Sequence, residues 1–443
     1  MSTKDDDDGE VDQQPDFDEN DAEIRSFYEN NSNEQDASVV SINDIDCPIL
    51  RDLNPSQLQA VTQPVDSISR VVAGPGSGKT RVLTSRIAYL LQQTSSSSSS
   101  SSSSQSVQTK HGACRILGVT FTRKAAGEMQ DRLEKLVQEQ AAWHQQRTQP
   151  QPSSLVLQPP PPPQRRPPPP SSYNDEVMVE EQYTGSNQRP NYHEYGLDRV
   201  TLGTFHSVCA KILRWNGELL ATLPSIAKDL TTMTMTNNDT TPQQQQLDHT
   251  FTILDEGAQL RILKDCLEEL DIDLSKYELR PRPVLSAFAQ IKALQASGQD
   301  PSSRSGRPSP NNKNNEKQPL SKAMNVALKV YPVYREKLLT TNCLDFDDLI
   351  FLTRELLLEY KDVREHLQRR WTHVLVDEFQ DTSQTQMDLV KLLTSSSLLV
   401  VGDADQSIYS WRGANVESLS QFEQEFEHHP SGVQTIYLME NYR

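Results

Sequence analysis

The sequence predicts an α/β protein in which a parallel sheet flanked by helices is interrupted by an inserted, mostly helical domain and by low-complexity segments. Three observations predict it. Short apolar runs rich in β-branched residues recur at 68–72, 116–121, 373–376, 398–401 and 435–438, and helical-period segments alternate with them, as expected of strands buried on both faces. One of these runs leads through a glycine-rich loop straight into a helix. Between residues 213 and 342 the strand pattern gives way to helical spacing, with Leu260, Leu263, Leu267 and Leu270 on one face.

Residues 1–46 carry sixteen Asp or Glu against Lys4 and Arg25. So much charge with few aromatics cannot bury enough surface to offset the entropy of ordering, so the segment reads as a disordered acidic tail. It holds −14 of the formal net charge of −18, so the remainder of the 443-residue chain is near neutral and its overall acidity does not exclude nucleic acid as a partner. Order is expected near Leu50, where Asn54 caps a short helix that Pro55 opens. The first part of the α/β domain then spans 47–212, with low-complexity insertions at about 94–110, containing an unbroken serine run, and about 138–198, containing two proline runs. Within it, 124–137 reads as a helix with Ala126, Met129, Leu133 and Val137 inward, and Val200 opens a further strand and helix. The helical insert, 213–342, has linkers at about 228–248 and 298–320 and a helix expected to kink at Pro332; residues 343–443 resume the α/β domain.

Five cysteines lie far apart without a C-x-x-C pair, which argues against a zinc module or a disulfide framework and fits a reducing compartment, nucleus or cytoplasm. No apolar run has the length of a membrane span. The acidic tail and the proline runs are candidate docking segments for protein partners.

The chemistry is concentrated at strand ends. After the run 68–72, Gly74-Pro75-Gly76-Ser77-Gly78 leaves backbone N–H groups free to close around a phosphate at a helix N-terminus. Lys79 adds a charge for the β- and γ-phosphates and Thr80 a hydroxyl ligand for Mg²⁺; Ala73 stands where the usual pattern has glycine. The run 373–376 ends in Asp377, suited to hold nucleotide Mg²⁺, and Glu378, suited to activate water. Downstream, Gln406 is a candidate sensor of the γ-phosphate. Tyr409, Trp411 and Arg412 in a loop have the composition that stacks on unpaired bases, although two aromatics there also suit a core. Phe121, Thr122 and Arg123 end one strand, and Thr204, Phe205 and His206 end another. Hydroxyls, basic groups and an aromatic at strand ends suit phosphate contact and stacking; a core Phe and a capping Thr are the plainer alternative.

Taken together, L-N-P-S-Q from Leu53, A-G-P-G-S-G-K-T from Ala73, V-T-F-T-R-K-A-A from Val119, G-T-F-H from Gly203, V-D-E-F-Q-D-T from Val376, G-D-A-D-Q-S-I-Y-S-W-R-G-A from Gly402 and N-Y-R from Asn441 resemble superfamily 1A DNA helicases, in particular the UvrD/Rep/PcrA family. The resemblance implies a RecA-like P-loop domain and an enzyme that couples hydrolysis of ATP, with Mg²⁺, to 3′–5′ movement on single-stranded DNA and at single-strand/duplex junctions, in repair, replication or recombination. It implies a nucleotide site made of Ala73, Gly74, Pro75, Gly76, Ser77, Gly78, Lys79, Thr80 and Arg81, with Gln57 reading the adenine edge, Tyr442 stacking on the base and Arg443 reaching the γ-phosphate. A second RecA-like lobe is expected from the resemblance, and its motifs do not occur in this sequence. A chain that binds ATP and single-stranded DNA without turnover is therefore the alternative.

Overall fold

A computed structural model of the protein describes residues 47–96, 114–148, 196–229, 247–296, 298–302, 320–403, 418–429 and 432–442. The acidic tail, nearly all of the serine run, and most of the proline-rich insertion and of the two expected linkers lie outside them, as do Gln406, Tyr409, Trp411, Arg412 and Arg443. The chain forms an α/β domain whose strands β1 (Ile68–Ala73), β2 (Ile116–Thr120) and β3 (Val200–Thr204) precede the insert. The two-residue strand β4 (Thr252–Ile253) lies within the insert and β5 (Cys343–Leu344) just after it, and β6 (His373–Val376), β7 (Ser397–Gly402) and β8 (Val433–Leu438) follow. Six strands make one sheet in the order β3-β2-β6-β7-β1-β8, and every pair in it is parallel.

Helices cover both faces because the strands are apolar on both. One face carries α1 (Pro55–Val61), α2 (Lys79–Ser96) and α3 (Arg123–Thr148), with Leu58, Leu83, Ile87, Met129 and Leu133 buried against β1 and β7 side chains such as Val71 and Val401. Helix α3 continues past the expected limit at residue 137 because Trp143 still packs against that core. Arg147 then lies over the Trp143 ring, 4.5 Å from its centroid, which adds a cation–π contact to the last turn. The other face carries α4 (Phe205–Trp215), followed by the single turn α5 (Gly217–Leu220).

In the insert, α6 (Glu256–Glu269), α7 (Pro281–Ala296) and α8 (Lys322–Thr340) close around Leu263, Leu267, Phe288, Ile291, Val330 and Tyr334. Leu270, expected on the inner face of α6, is instead its C-cap and is exposed, since the chain turns away there. Helix α8 runs through Pro332. β4 and β5 pair in parallel, Thr252 with Cys343 and Ile253 with Leu344, which ties the segment before α6 to the segment after α8. Then α9 (Phe346–Glu359), α10 (Lys361–Arg370), α11 (Gln384–Leu393) and α12 (Ser418–Glu425) follow, with α9 and α11 joining α4 over the second face.

A buried ionic network joins the insert to α9. Lys292 Nζ of α7 lies 2.5 and 2.6 Å from the two Asp345 oxygens and 2.9 Å from Asp348 Oδ1. Arg335 of α8 reaches Asp348 Oδ1 at 2.7 Å and Asp229 at 3.0 Å. Asp345 also caps α9 by accepting from the Asp348 N–H at 2.9 Å, so the cap and the ion pairs fix one another. Removing one partner strands the others in a dry interior. We expect Asp348→Ala to cost about 3–5 kcal/mol, read from the denaturant midpoint; a loss below about 0.5 kcal/mol, typical of surface sites, would mean that the network is solvated.

Candidate functional site

Because all six strands run the same way, the loops leaving β1, β6 and β7 gather at one edge of the sheet, where open α/β sheets bind ligands. The loop after β1 has left-handed backbone at Gly76 (φ 79°) and Gly78 (φ 86°), a conformation that suits glycine and turns N–H groups to one side. At Gly78 a Cβ would also stand 2.7 Å from Gln57 Nε2. The Ser77 hydroxyl closes the loop by donating to the Gly74 carbonyl at 2.8 Å. Lys79 opens α2, and its Nζ lies 3.4 Å from the Ala73 carbonyl. It also lies 3.6 Å from Asp403 Oδ2 at the end of β7 and 4.0 Å from Glu378 Oε2 after β6. The ammonium thus spans the mouth of the loop between acids from two other strands. Thr80 is half-buried beside it, while Arg81 turns outward to Asp52 at 3.2 Å.

Asp377 extends the β2–β6 ladder by one residue, its N–H donating to the Val119 carbonyl at 2.9 Å, and its Oδ1 accepts from the Glu378 N–H at 3.0 Å. Burial, with Glu378 adding like charge, pushes its carboxyl up to about 6. Glu378 adopts left-handed backbone (φ 50°), a cost of order 1–3 kcal/mol that persists where surrounding structure enforces it. Its Oε2 accepts from Gln380 Nε2 at 2.8 Å, and Gln380 Oε1 in turn accepts from the Asp403 N–H at 2.9 Å. One carboxamide therefore spaces the acids of β6 and β7. Asp381 completes the group: burial, then Glu378, lifts its carboxyl to about 6, and among the described residues its Oδ1 has no hydrogen bond.

The other wall of this cleft is α1 and the end of β8. Asn54 and Gln57 form a capping box at the start of α1. Gln57 Nε2 donates to the Ser77 carbonyl at 2.9 Å while its Oε1 accepts from the Asn54 N–H at 3.2 Å, so in this state both ends of its amide are held by the protein. Asn54 Nδ2 donates to the Tyr442 hydroxyl at 2.6 Å. The Tyr442 N–H donates to the Gly76 carbonyl at 3.2 Å, and the ring is largely exposed. Tyr442, Gln57 and the glycine loop are brought together from sequence positions nearly 400 apart.

Farther along the same edge lie the ends of β2 and β3. Thr122 and Arg123 are exposed and Phe121 half-buried; Thr122 Oγ1 accepts from the Ala125 N–H at 3.1 Å and so caps α3. At the end of β3 the side chains take the places of a capping Thr and a core Phe. Thr204 is buried and its hydroxyl accepts from the Ser207 N–H, the N-cap of α4. Phe205 is buried with Val208, Cys209 and Ile212, because this spacing is the inward stripe of α4. His206, one position on, is half-buried and meets Phe346 edge to face, ring centroids 5.5 Å apart at 88°. Phe346, at the start of α9, is 38% exposed.

The family model for the UvrD/REP helicase N-terminal domain matches residues 53–427. The chain belongs to this family. Among curated proteins it is similar to the ATP-dependent DNA helicase PcrA of Staphylococcus aureus, 29% identical over 397 residues that cover 89% of this chain and 38% of that protein. It is also similar to PcrA of Bacillus subtilis, 31% identical over 410 residues covering 91% and 39%. The chain spans about two-fifths of the length of these relatives.

For this UvrD/REP-type domain, sequence reasoning missed Asn54, Gln380, Asp381, Asp403 and Phe346 as members of the two strand-end clusters. Asp403 had a visible signal, since V-V-G-D repeats the pattern of V-L-V-D one strand away. Phe346 had none, because it comes from beyond the insert. The raised carboxyl of Asp377 gives a test that needs no ligand. The fold disfavours its ionised form, so the stability it confers is full below 3.8 and is lost as pH rises through about 6. Asp377→Asn is expected to stabilise the nucleotide-free chain at neutral pH by roughly 1–3 kcal/mol and to flatten its stability profile across that interval. Denaturant titrations over the pH series check this, and destabilisation at neutral pH would contradict it.

Proposed function

We propose that this protein is an ATP-dependent DNA helicase that moves 3′ to 5′ along single-stranded DNA in repair, replication or recombination. Lys79 carries the reading: a half-buried ammonium at a helix N-terminus, beside a loop with left-handed glycines, faced by acids from two neighbouring strands. The positive-φ cradle and the donor set of Thr80 and Asp377 fit a nucleoside triphosphate with Mg²⁺. In this reading Lys79 leaves its acidic partners for the β- and γ-phosphates. Thr80 and Asp377 hold the cation, which when bound polarises the terminal phosphate.

Glu378 then orients and deprotonates the attacking water, and its left-handed backbone and the Gln380 amide aim its carboxylate. Gln57 and Tyr442 flank the base, so engaging adenine would exchange at least one of the Gln57 protein contacts for a base contact. Gln406 and Arg443 are proposed to sense and neutralise the γ-phosphate. On the DNA side, Arg123 and Thr122 suit phosphates, while Phe121, His206 and Phe346 offer ring faces and edges for unpaired bases, joined by Tyr409, Trp411 and Arg412. Because the nucleotide cluster sits over β1, β7 and β6 and the nucleic-acid cluster over β2 and β3, the DNA and the triphosphate run side by side across one sheet edge.

The first test is binding by the 443-residue chain. Calorimetry is expected to show MgATP binding that Lys79→Ala abolishes and Glu378→Gln preserves. In a form carrying a second RecA-like lobe, Glu378→Gln should cut DNA-stimulated hydrolysis by orders of magnitude; loss of binding instead would make Glu378 structural. Separately, Phe346→Ala should weaken binding of an oligothymidylate by about 1–3 kcal/mol in fluorescence anisotropy, with MgATP affinity unchanged. An unaltered oligothymidylate affinity would remove Phe346 from the DNA surface.

A further inference from the structure

Helix α2 carries a buried cation that no role above uses. Arg86 lies two turns into α2 and is 3% exposed, yet among the described residues no carboxylate pairs with it. Its guanidinium donates from Nη1 to the carbonyls of Val61 at 2.9 Å and Gln63 at 2.5 Å, and from Nη2 to that of Pro64 at 2.8 Å. These are the last carbonyl of α1 and those of the second and third residues beyond it, next to the end where the helix leaves unsatisfied acceptors and carries its negative dipole end. The planar fork satisfies three of them at once, which a single ammonium does not do with the same geometry. Burial lowers the guanidinium to about 10, so it stays charged at neutral pH.

The opposite end of the same helix touches the glycine loop. Gln57 donates to the Ser77 carbonyl and Asn54 to the Tyr442 hydroxyl. Helix α1 is therefore held against the loop-and-helix unit at two points, one beside the phosphate cradle and one at Arg86. Only the first is near the nucleotide.

We propose that Arg86 is a positioning residue for the nucleotide site, which by gripping the carbonyl end of α1 sets where Gln57 and Asn54 stand beside the glycine loop. The inference rests on the reading that this end of α1 faces the base. It separates the base from the phosphates: the cradle from Gly76 to Thr80 is anchored by β1 and α2, whereas the base wall is anchored through Arg86.

The test compares MgATP with magnesium tripolyphosphate, which has the phosphates and no base, on the 443-residue chain by calorimetry. Arg86→Lys, which keeps the charge and loses the fork, is expected to raise the Kd for ATP about tenfold while leaving that for tripolyphosphate within about twofold. In a Gln57→Ala background the same substitution should no longer change the ATP affinity, because its effect runs through α1. Arg86→Met is expected to show the same selectivity in stronger form, and if it does not fold the Lys variant decides. Equal weakening of both ligands would overturn the proposal in favour of a purely structural role. So would an undiminished Arg86→Lys effect in the Gln57→Ala chain, or an unchanged ATP affinity. If the unsubstituted chain fails to bind ATP, the nucleotide-site reading falls and this inference with it; tight binding with any of the preceding patterns overturns the inference alone.

Discussion

The parallel alignment of β1, β7 and β6 is the constraint on which the cleft depends. Val71 of β1 is in register with Val401 of β7, and Val400 of β7 with Val376 of β6, so the three strands end within about three residues of one another. Their next residues are the glycine loop, Asp403 and Asp377. An antiparallel strand at either place would deliver its acid to the far end of the sheet, some five residues or about 16 Å away at 3.3 Å per residue. The parallel pattern in turn needs long crossovers, and the helices on both faces supply them.

Two clusters of buried charge in this protein differ in a way that distinguishes support from chemistry. In the insert, Lys292 and Arg335 are matched to Asp345, Asp348 and Asp229 at 2.5–3.0 Å, and the carboxylate that caps α9 belongs to the same set. Charges so matched hold one arrangement. At the sheet edge, where the carboxyls of Asp377, Glu378, Asp381 and Asp403 gather, the ammonium of Lys79 stands 3.6 Å from Asp403 and 4.0 Å from Glu378 among the described residues. Asp377 and Asp381 are both pushed up to about 6 by burial. An excess of buried negative charge around a loose cation is poorly satisfied by the protein alone and favours a ligand that brings positive charge, which is the electrostatic logic of a cation-dependent phosphate site.

Much of this was legible in the sequence because strands buried on both faces announce themselves as continuous apolar runs. β6 lies where its run predicts, β1 and β2 differ by one residue at one end, and β7 by one residue at each end. Edge strands were less visible: β8 begins at Val433 rather than Thr435, since its outer half is partly exposed and alternates with polar residues. Helix α3 overran its predicted end because Trp143, eleven residues beyond the helix's charged middle at Arg132, returns to the core. Phe205 and His206 show the limit of reading strand ends by composition: adjacent residues at a helix start point in directions about 100° apart, so one enters the core and the other the surface. Tertiary contacts such as those of Phe346 with His206 and of Asn54 with Tyr442 were not legible, because nothing local marks which strand end a distant residue will meet.

The helix α9 links the two halves of the edge. Its first residue, Phe346, faces His206 at the end of β3, and its cap, Asp345, is locked to Lys292 of the insert. Its middle is buried against α4 and α11 through Leu352 and Leu356. Arg354, farther along, pairs with Asp388 of α11 at 2.7 Å, and α11 begins three residues after Asp381. A rigid helix packed this way does not bend between its ends, so a displacement at Phe346 is carried as a shift of α9 against α11 rather than absorbed locally. α11 in turn starts from the turn that holds Glu378 and Gln380. The geometry thus gives the candidate DNA surface and Glu378 a common support made of one helix, one ion pair and one short turn, with the insert fastened at the cap of α9 beside Phe346.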